Sequence, residues 1–518
     1  MLRQKVLHPL LFSAYPVLAL LAHNIDWLRP QQALRAVLIS VATALVLLLL
    51  LGRVLRDGHR AAMLVSLLAL LFFAYGHVYE TVKLGLGADI GRHRYLAPLF
   101  LGAGALLGWW IWRRMRDPEA ATGILNLVSL AALAFPVMTL VGWGWASLAN
   151  TPAEAPAESN LQLPAGERAP DVYFLLVDGY ARQDTLRIVY EMDNSPFIGF
   201  LEEHGFYVAD DARSNYAQTS LSVASALNMD HVDALVAGLG DSTPGRDTLW
   251  RLIQHSEVRR QLESLGYVTV AFSSGLAGTE LTDADYYITA GSGNEDLGLA
   301  GISPFESLVV QTSLLRLVAD GITGLPQLPY DLHRSRILNT LDVLQSLPST
   351  EAPKFVFAHI IAPHPPFVFA ADGSPLTPDE PFSLRFEFDD GLTSSQAYIR
   401  GYRDQVKFVN RQLEEVVLAI LEQSEVPPVI ILTADHGPDS NSGRQTYVQE
   451  RMTILSAYHL PNGEAGLYPG ITPVNSFRVV FNQVFDGDYP MLEDRVLFSK
   501  YVTPFEFRDG TDGILPPQ

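Results

Sequence analysis

The sequence predicts an N-terminal multi-span α-helical membrane bundle followed by a larger α/β sandwich domain, with a mostly parallel central sheet and helices on both faces. Three observations carry that prediction. Apolar runs of membrane-crossing length are confined to the first 150 residues, the charge balance changes sign near residue 150, and short β-branched and aromatic runs then alternate with helical patterns.

The apolar runs lie near residues 8–23, 34–52, 61–78, 95–112 and 123–148. Each approaches the ~20 residues that carry a helix across a bilayer, so residues 1–148 read as a transmembrane domain of about five helices. Ser13, Tyr15 and Pro16 interrupt the first run, but no small-residue cleavage site follows it and further spans do, so it reads as a retained anchor. Arg3 and Lys5, then Arg53, Arg56 and Arg60, then Arg113, Arg114 and Arg116 fall in alternate loops, against Arg29, Lys83, Arg92 and Arg94 in the opposite ones. Loops enriched in Lys and Arg stay cytoplasmic, which puts the N-terminus on the cytoplasmic side of the cell membrane and everything beyond residue 150 on its periplasmic or extracellular side. Trp109, Trp110 and Trp112 beside Arg113 read as an interfacial anchor.

Residues 1–150 carry 13 Lys/Arg against 6 Asp/Glu, a balance of +7, so the net charge of −20 leaves −27 for residues 151–518. A strongly acidic outer part repels phosphate backbones and argues against nucleic acid as a partner. The bilayer is the partner the first part implies. The absence of Cys excludes disulfides, thiolate zinc sites and a Cys nucleophile.

Residues 149–169, rich in Pro, Ala and Glu without apolar periodicity, read as a semi-extended tether to a domain spanning 170–518. Strands are expected at DVYFLLVDG from 171, YVTVAF from 267, KFVFAHIIA from 353 and PPVIILTADHG from 427, with helices near 186–203 and 395–422 and in PVNSFRVVFNQVF from 473. In open α/β sheets ligands gather beyond the carboxyl ends of the strands. Three strands end there in chemistry: the first in Asp178, the central one in His359 and His364, the last in Asp435 and His436. One Asp at a strand end is commonly a turn residue. Carboxylates and imidazoles from three separate strands make a metal-ligand set.

VDGY at 177, HIIAPHPPF at 359 and TADHG at 433, in this order, resemble the alkaline phosphatase superfamily, and within it the sulfatase-like branch that includes lipoteichoic acid synthases and phosphoethanolamine transferases. The resemblance covers roughly residues 170–490, and a five-span anchor before an external domain is similar to the lipoteichoic acid synthases. It implies a metal-bound hydroxyl nucleophile at a helix N-terminus. SNYAQTSLSVASALNM supplies Thr219 there, with Ser220 as the alternative. Free N–H groups and the helix dipole suit such a position to an incoming phosphate.

Carried over residue by residue, the resemblance implies Asp178, Thr219, Asp435 and His436 around one divalent cation, Mn²⁺, Zn²⁺ or Mg²⁺. His364 and His359 would then contact the phosphate or hold a second metal. Lipoteichoic acid synthases carry Glu at the first position, so Asp178 shortens that ligand arm. The Cys or Ser followed by Pro and Arg that formylglycine sulfatases need is missing around Thr219, which disfavours sulfate-ester hydrolysis. Asp283, Asp285 and His459 are the remaining candidates for a second metal site and read better as structural residues.

The function implied is membrane-anchored, metal-dependent phosphoester transfer through a phospho-Thr219 intermediate assisted by His364, from a lipid donor to an envelope glycan or lipid. Two rivals stay open: a phosphodiesterase or phosphatase acting on soluble substrates, and a sulfatase-like envelope scaffold without catalysis.

Overall fold

The computed structural model describes residues 5–25, 30–86, 92–149, 161–163, 168–237, 245–290, 303–321, 328–347, 353–376, 382, 384, 395–440, 449–501 and 503–511. The chain divides into two compact units, Met1–Ala146 with Gly291–Pro329, and Ser147–Ala290 with Tyr330–Gln518. Most of the tether expected over 149–169 lies outside the described residues; at 161–163, Leu161 is buried and the Gln162 N–H donates to Phe485 O.

The first unit is built on α1 (His8–His23), α2 (Leu34–Leu55), α3 (Gly58–Leu86), α4 (His93–Arg114) and α5 (Pro118–Ala149). Four stretches, Pro30–Leu55, Gly58–Lys83, His93–Arg114 and Pro118–Trp145, are long and apolar enough to cross a membrane. The first expected span differs. α1 has 16 residues, bounded by His8 and His23, and is ~24 Å long at ~1.5 Å per residue, short of the ~30 Å hydrocarbon thickness. The outward faces of α2 and α5 are covered with exposed Leu, Val and Ile, as lipid-facing helices require.

The sequence places 170–518 in one domain, yet Gly291–Pro329 groups with the N-terminal helices. Helix Pro304–Thr312, entered through a Ser303/Glu306 capping box, lies directly on α3. At Gly76 a Cβ would fall 2.2 Å from Gln311 O and 2.5 Å from the Thr312 backbone, so only glycine permits the approach. Polar contacts reach three helices. Glu306 pairs with Arg35 of α2, Arg316 with Glu80 of α3 at 2.6 Å, and Asp320 with His93 of α4 at 2.6 Å. Phe305 is fully buried in the apolar cluster that includes Val17, Leu21 and Ile25. A short amphipathic segment hides this role because nothing in it is apolar enough to read as a span.

The second unit holds a seven-stranded sheet in the order β2-β7-β6-β1-β5-β3-β4. Its strands are β1 (Val172–Val177), β2 (Tyr207–Val208), β3 (Val268–Phe272), β4 (Tyr286–Ile288), β5 (Lys354–Ile360), β6 (Val429–Thr433) and β7 (Ser456–His459), and a hairpin of β8 (Leu497–Lys500) and β9 (Thr503–Asp509) stands apart. β7 runs antiparallel to both its neighbours and the remaining pairings are parallel. All residues of β1, β5 and β6 are buried, so both sheet faces are covered, as the continuous apolar runs require. Helix Pro473–Val484 packs through Phe477 on Phe174 and Phe355, with ring centroids 5.2 and 6.1 Å away. The helix expected over 186–203 is two, Gln183–Val189 and Ser195–Glu203. Glu191 has positive φ and Pro196 can only begin a helix, so the chain breaks between them.

Candidate metal and phosphoryl site

Strand register explains why the expected residues meet. Leu176 of β1 is level with His359 on one side and Thr433 on the other. Asp178 and Asp435 therefore lie two residues further along, level with each other at the carboxyl rim, while His359 sits two residues deeper. Two glycines allow the turns that follow. Gly179 has φ of +74° and its N–H donates to Asp435 Oδ1 at 3.2 Å. At Gly437 a Cβ would fall 1.8 Å from Glu450 O.

Thr219 is the first residue of helix Thr219–Asn228. Its hydroxyl lies 3.1 Å from His436 Nε2, and that nitrogen is 3.2 Å from Asp435 Oδ2 and 3.8 Å from Asp178 Oδ1. The first residues, Thr219 and Ser220, are half-buried, whereas Asp178, Asp435 and His436 are at most 2% exposed. Thr219 is thus the least buried residue of the set. His436 Nδ1 lies 3.0 Å from Gly437 O. A carbonyl only accepts, so Nδ1 carries the proton and Nε2 presents its lone pair to the cluster.

His364 is held by its backbone N–H to Asp178 O at 3.0 Å, and its ring centroid is 6.2 Å from that of His436. Its Nδ1 faces Pro365 O at 2.5 Å, so Nε2 is again the lone-pair nitrogen. His359 is placed differently from a substrate contact. Its Nε2 is 3.1 Å from Asp178 Oδ2 and its Nδ1 2.7 Å from Thr279 Oγ1. Both nitrogens are engaged below the rim, where the imidazole fixes the Asp178 carboxylate.

Asp283, Asp285 and His459 do not join the set. Asp283 pairs with Arg259 at 2.8 Å, Asp285 accepts the Thr269 N–H at 2.8 Å, and His459 Nδ1 meets Pro428 O at 2.8 Å. One residue that sequence reasoning missed does join it. Arg451, 8% exposed, donates from Nε to Ala217 O at 2.9 Å and from Nη1 to Gly437 O at 3.2 Å, and its Nη2 lies 3.1 Å from His436 Nε2.

The electrostatics are those of two carboxylates in one dry site. Burial and the Asp178 charge raise the Asp435 carboxyl to about 7. Burial also works against ionised Asp178, but the imidazoles of His364, His359 and His436 outweigh it and hold that carboxyl below its usual range. Burial lowers His364 and His436, with Arg451 adding to the effect in each and the Asp178 charge opposing it.

A cation fits these residues. Asp178 Oδ1 and Asp435 Oδ2 are buried without hydrogen-bond partners, and both turn toward His436 Nε2, where two donors crowd a single lone pair. Ligand atoms of Asp178, His359 and Asp435 also lie within 4.8 Å of one another. Orphaned buried anionic oxygens are costly, and a divalent ion among them would satisfy these oxygens.

No protein-family model and no curated protein matches the sequence. Solved structures resemble parts of the chain. The C-terminal periplasmic domain of EptC from Escherichia coli, in complex with Zn, is 12% identical with a TM-score of 0.41, covering 66% of this chain and 93% of that one. The lipoteichoic acid synthase LtaP from Listeria monocytogenes is 12% identical with a TM-score of 0.38, covering 65% and 81%. The soluble domain of lipooligosaccharide phosphoethanolamine transferase A from Neisseria meningitidis is 11% identical with a TM-score of 0.37, covering 65% and 90%. Likeness at this level carries no argument about chemistry, which is read from the site itself.

Proposed function

We propose that this chain is a membrane-anchored, metal-dependent phosphoester transferase or hydrolase that works through phospho-Thr219. The observation that carries the reading is the convergence of the Thr219 hydroxyl, the His436 lone pair and two partnerless carboxylate oxygens at the N-terminus of a helix. Asp178, Asp435, His436 and Thr219 would hold one divalent cation, Zn²⁺, Mn²⁺ or Mg²⁺. When bound, that ion acidifies a coordinated hydroxyl and offsets charge on a phosphoryl oxygen.

The rest is done by the chain's own groups. Thr219 Oγ attacks phosphorus, an Oγ–P bond forms, the bond to the leaving oxygen breaks and the hydroxyl proton passes to that leaving oxygen, while the first N–H groups of helix Thr219–Asn228 face the phosphoryl oxygens. In the second step a hydroxyl of water or of an acceptor attacks the phospho-threonine, a new P–O bond forms and the Oγ–P bond to Thr219 breaks. His364, with Nδ1–H fixed on Pro365 O, accepts the attacking hydroxyl's proton at Nε2 and returns it to Thr219 Oγ. His359 keeps Asp178 in orientation from below.

Four membrane-length helices in the same chain favour a lipid-linked donor, because tethering raises the local concentration of what shares the leaflet. The test is metal analysis of the detergent-solubilised full-length protein, followed by mass spectrometry of the Thr219 peptide after incubation with a glycerophospholipid or with a water-soluble phosphodiester. An adduct from the lipid alone supports the transferase, and one from the soluble diester alone supports a phosphodiesterase. A metal-free protein with an unmodified peptide refutes both.

A further inference from the structure

Residues 291–329 are flanked on both sides by the second unit and group with the membrane helices. Within them helices Pro304–Thr312 and Leu315–Ala319 are joined through Ser313 and Leu314, and this joint lies deep along α3. Residues 61–79 of α3 hold no Asp, Glu, Lys or Arg, a stretch of ~28 Å at ~1.5 Å per residue, close to the ~30 Å hydrocarbon thickness of a bilayer. Arg60 closes that stretch at one end and Glu80 at the other. The Leu314 N–H donates to Phe72 O at 2.7 Å, and the close approach at Gly76 brings Gln311 and Thr312 against the next turn. Phe72 precedes Glu80 by eight residues, which places the joint ~12 Å deeper than that charge.

Polarity follows the same depth. Glu306 and Arg316 bound the uncharged run SLVVQTSLL, and they pair with Arg35 near the start of α2 and with Glu80, so both charges are drawn to the outer ends of the spans. The hydroxyls at the joint are satisfied locally: Thr312 Oγ1 donates to Leu308 O at 2.8 Å and Ser313 Oγ to Val310 O at 3.4 Å. Non-helical backbone and polar groups are tolerated at membrane depth only where protein satisfies them, as here. What faces outward beside the joint is apolar. Leu315 and Val318, three residues apart on one helix face, are 41% and 52% exposed.

Resting on the reading that α3 spans a bilayer, we propose that residues 303–320 are a re-entrant hairpin whose joint enters the outer leaflet, where Leu315 and Val318 bind lipid acyl chains. The uncharged run is too short to cross as a helix and suits a dip into one leaflet. The two side chains extend the exposed Leu, Val and Ile cover of the spans. The second unit is then tied to the bilayer through residues 291–329 as well as through the tether that follows α5.

The chain has no Cys, so one introduced thiol can be labelled without background. Full-length Leu315→Cys and Val318→Cys proteins, each carrying an NBD fluorophore, are placed in phosphatidylcholine/phosphatidylglycerol nanodiscs. Leu106→Cys serves as the reference, since Leu106 is 70% exposed on α4. A lipid with a doxyl group midway along its acyl chain is expected to quench the labels at 315 and 318 at least about threefold more than aqueous iodide does, as it does the label at 106. Each substitution replaces an exposed side chain, and the second repeats the reading if the first does not fold. Iodide quenching that equals or exceeds lipid quenching at 315 and 318 places the hairpin in water, and quenching by neither means that protein covers this face. Either result overturns the proposal while the label at 106 still reports lipid. A label at 106 that iodide reaches and the lipid does not removes the membrane reading of these helices and this inference with it.

Discussion

Asp435→Asn should stabilise the metal-free protein at alkaline pH while abolishing its response to metal. Burial, with the neighbouring Asp178 charge adding to it, raises Asp435 from 3.8 to about 7. A carboxyl whose folded pKa is raised makes the native state hold a proton that the unfolded state has released. Its contribution is therefore complete below about pH 4, declines as pH rises through about 7, and is gone above that. A rise of that size corresponds to on the order of 4 kcal/mol between the protonated and ionised folded states. Asn cannot ionise, and its Oδ1 can still accept the Gly179 N–H that Asp435 Oδ1 accepts at 3.2 Å. With EDTA at pH 8, Asp435→Asn is expected to melt several degrees higher than wild type, and at pH 4.5 the difference should nearly vanish. With Zn²⁺ at about a hundredfold its wild-type Kd, wild type should gain about 2.7 kcal/mol and the variant almost nothing. Differential scanning fluorimetry of the full-length protein across pH 4.5–8.5, with EDTA or Zn²⁺, reads all four conditions. An EDTA-treated variant no more stable than wild type at pH 8, or a variant still stabilised by Zn²⁺, refutes the paired-carboxylate argument.

The same site gives further expectations. Zn²⁺ affinity should fall about tenfold per pH unit below pH 7, because binding expels the proton shared by the carboxylate pair; a flat profile by calorimetry would contradict it. Thr219→Ala should lower turnover by at least about a thousandfold and leave no phospho-peptide, with Zn²⁺ affinity changed less than about a hundredfold, whereas Thr219→Ser retains both adduct and partial rate. His359→Leu, which can engage neither Asp178 nor Thr279, should weaken Zn²⁺ binding about 10- to 100-fold without touching substrate KM; a KM effect alone would return His359 to the substrate. Gly437→Ala should cost more stability than ordinary surface substitutions, since its Cβ meets Glu450 O at 1.8 Å, and an unchanged melting temperature would contradict that close approach.

Much of this was legible in the chain because sheet rims concentrate chemistry. Asp178, Asp435 and His436 directly follow apolar runs that can only be buried strands, and Thr219 opens a helical pattern, so their types and positions suffice. His359 was harder to assign. HIIAPH puts two imidazoles at one strand end, and only the pairing of His359 with Leu176 shows that the first lies inside the sheet and the second beyond it. Arg451 escaped because its role depends on a chain reversal into the antiparallel β7. The signal available was a Glu450–Arg451 pair immediately before the apolar run MTILSAY, and both side chains are buried. The helical period on either side of Asn194–Ser195–Pro196 hides the break at 190–194, although Pro196 marks the start of a second helix.

The excursion of residues 291–329 changes what it means to cut this protein. Its flanks belong to the second unit and its interior to the first, so the polypeptide passes between the units three times. A fragment beginning after residue 160 would carry Phe305, Leu308 and Val309 away from the apolar cluster they complete, and Arg316 away from Glu80 and the ring of Tyr79. Soluble preparations made by simple truncation should therefore aggregate or need detergent. A version in which residues 291–329 are replaced by a short Gly/Ser bridge should behave as a monomer.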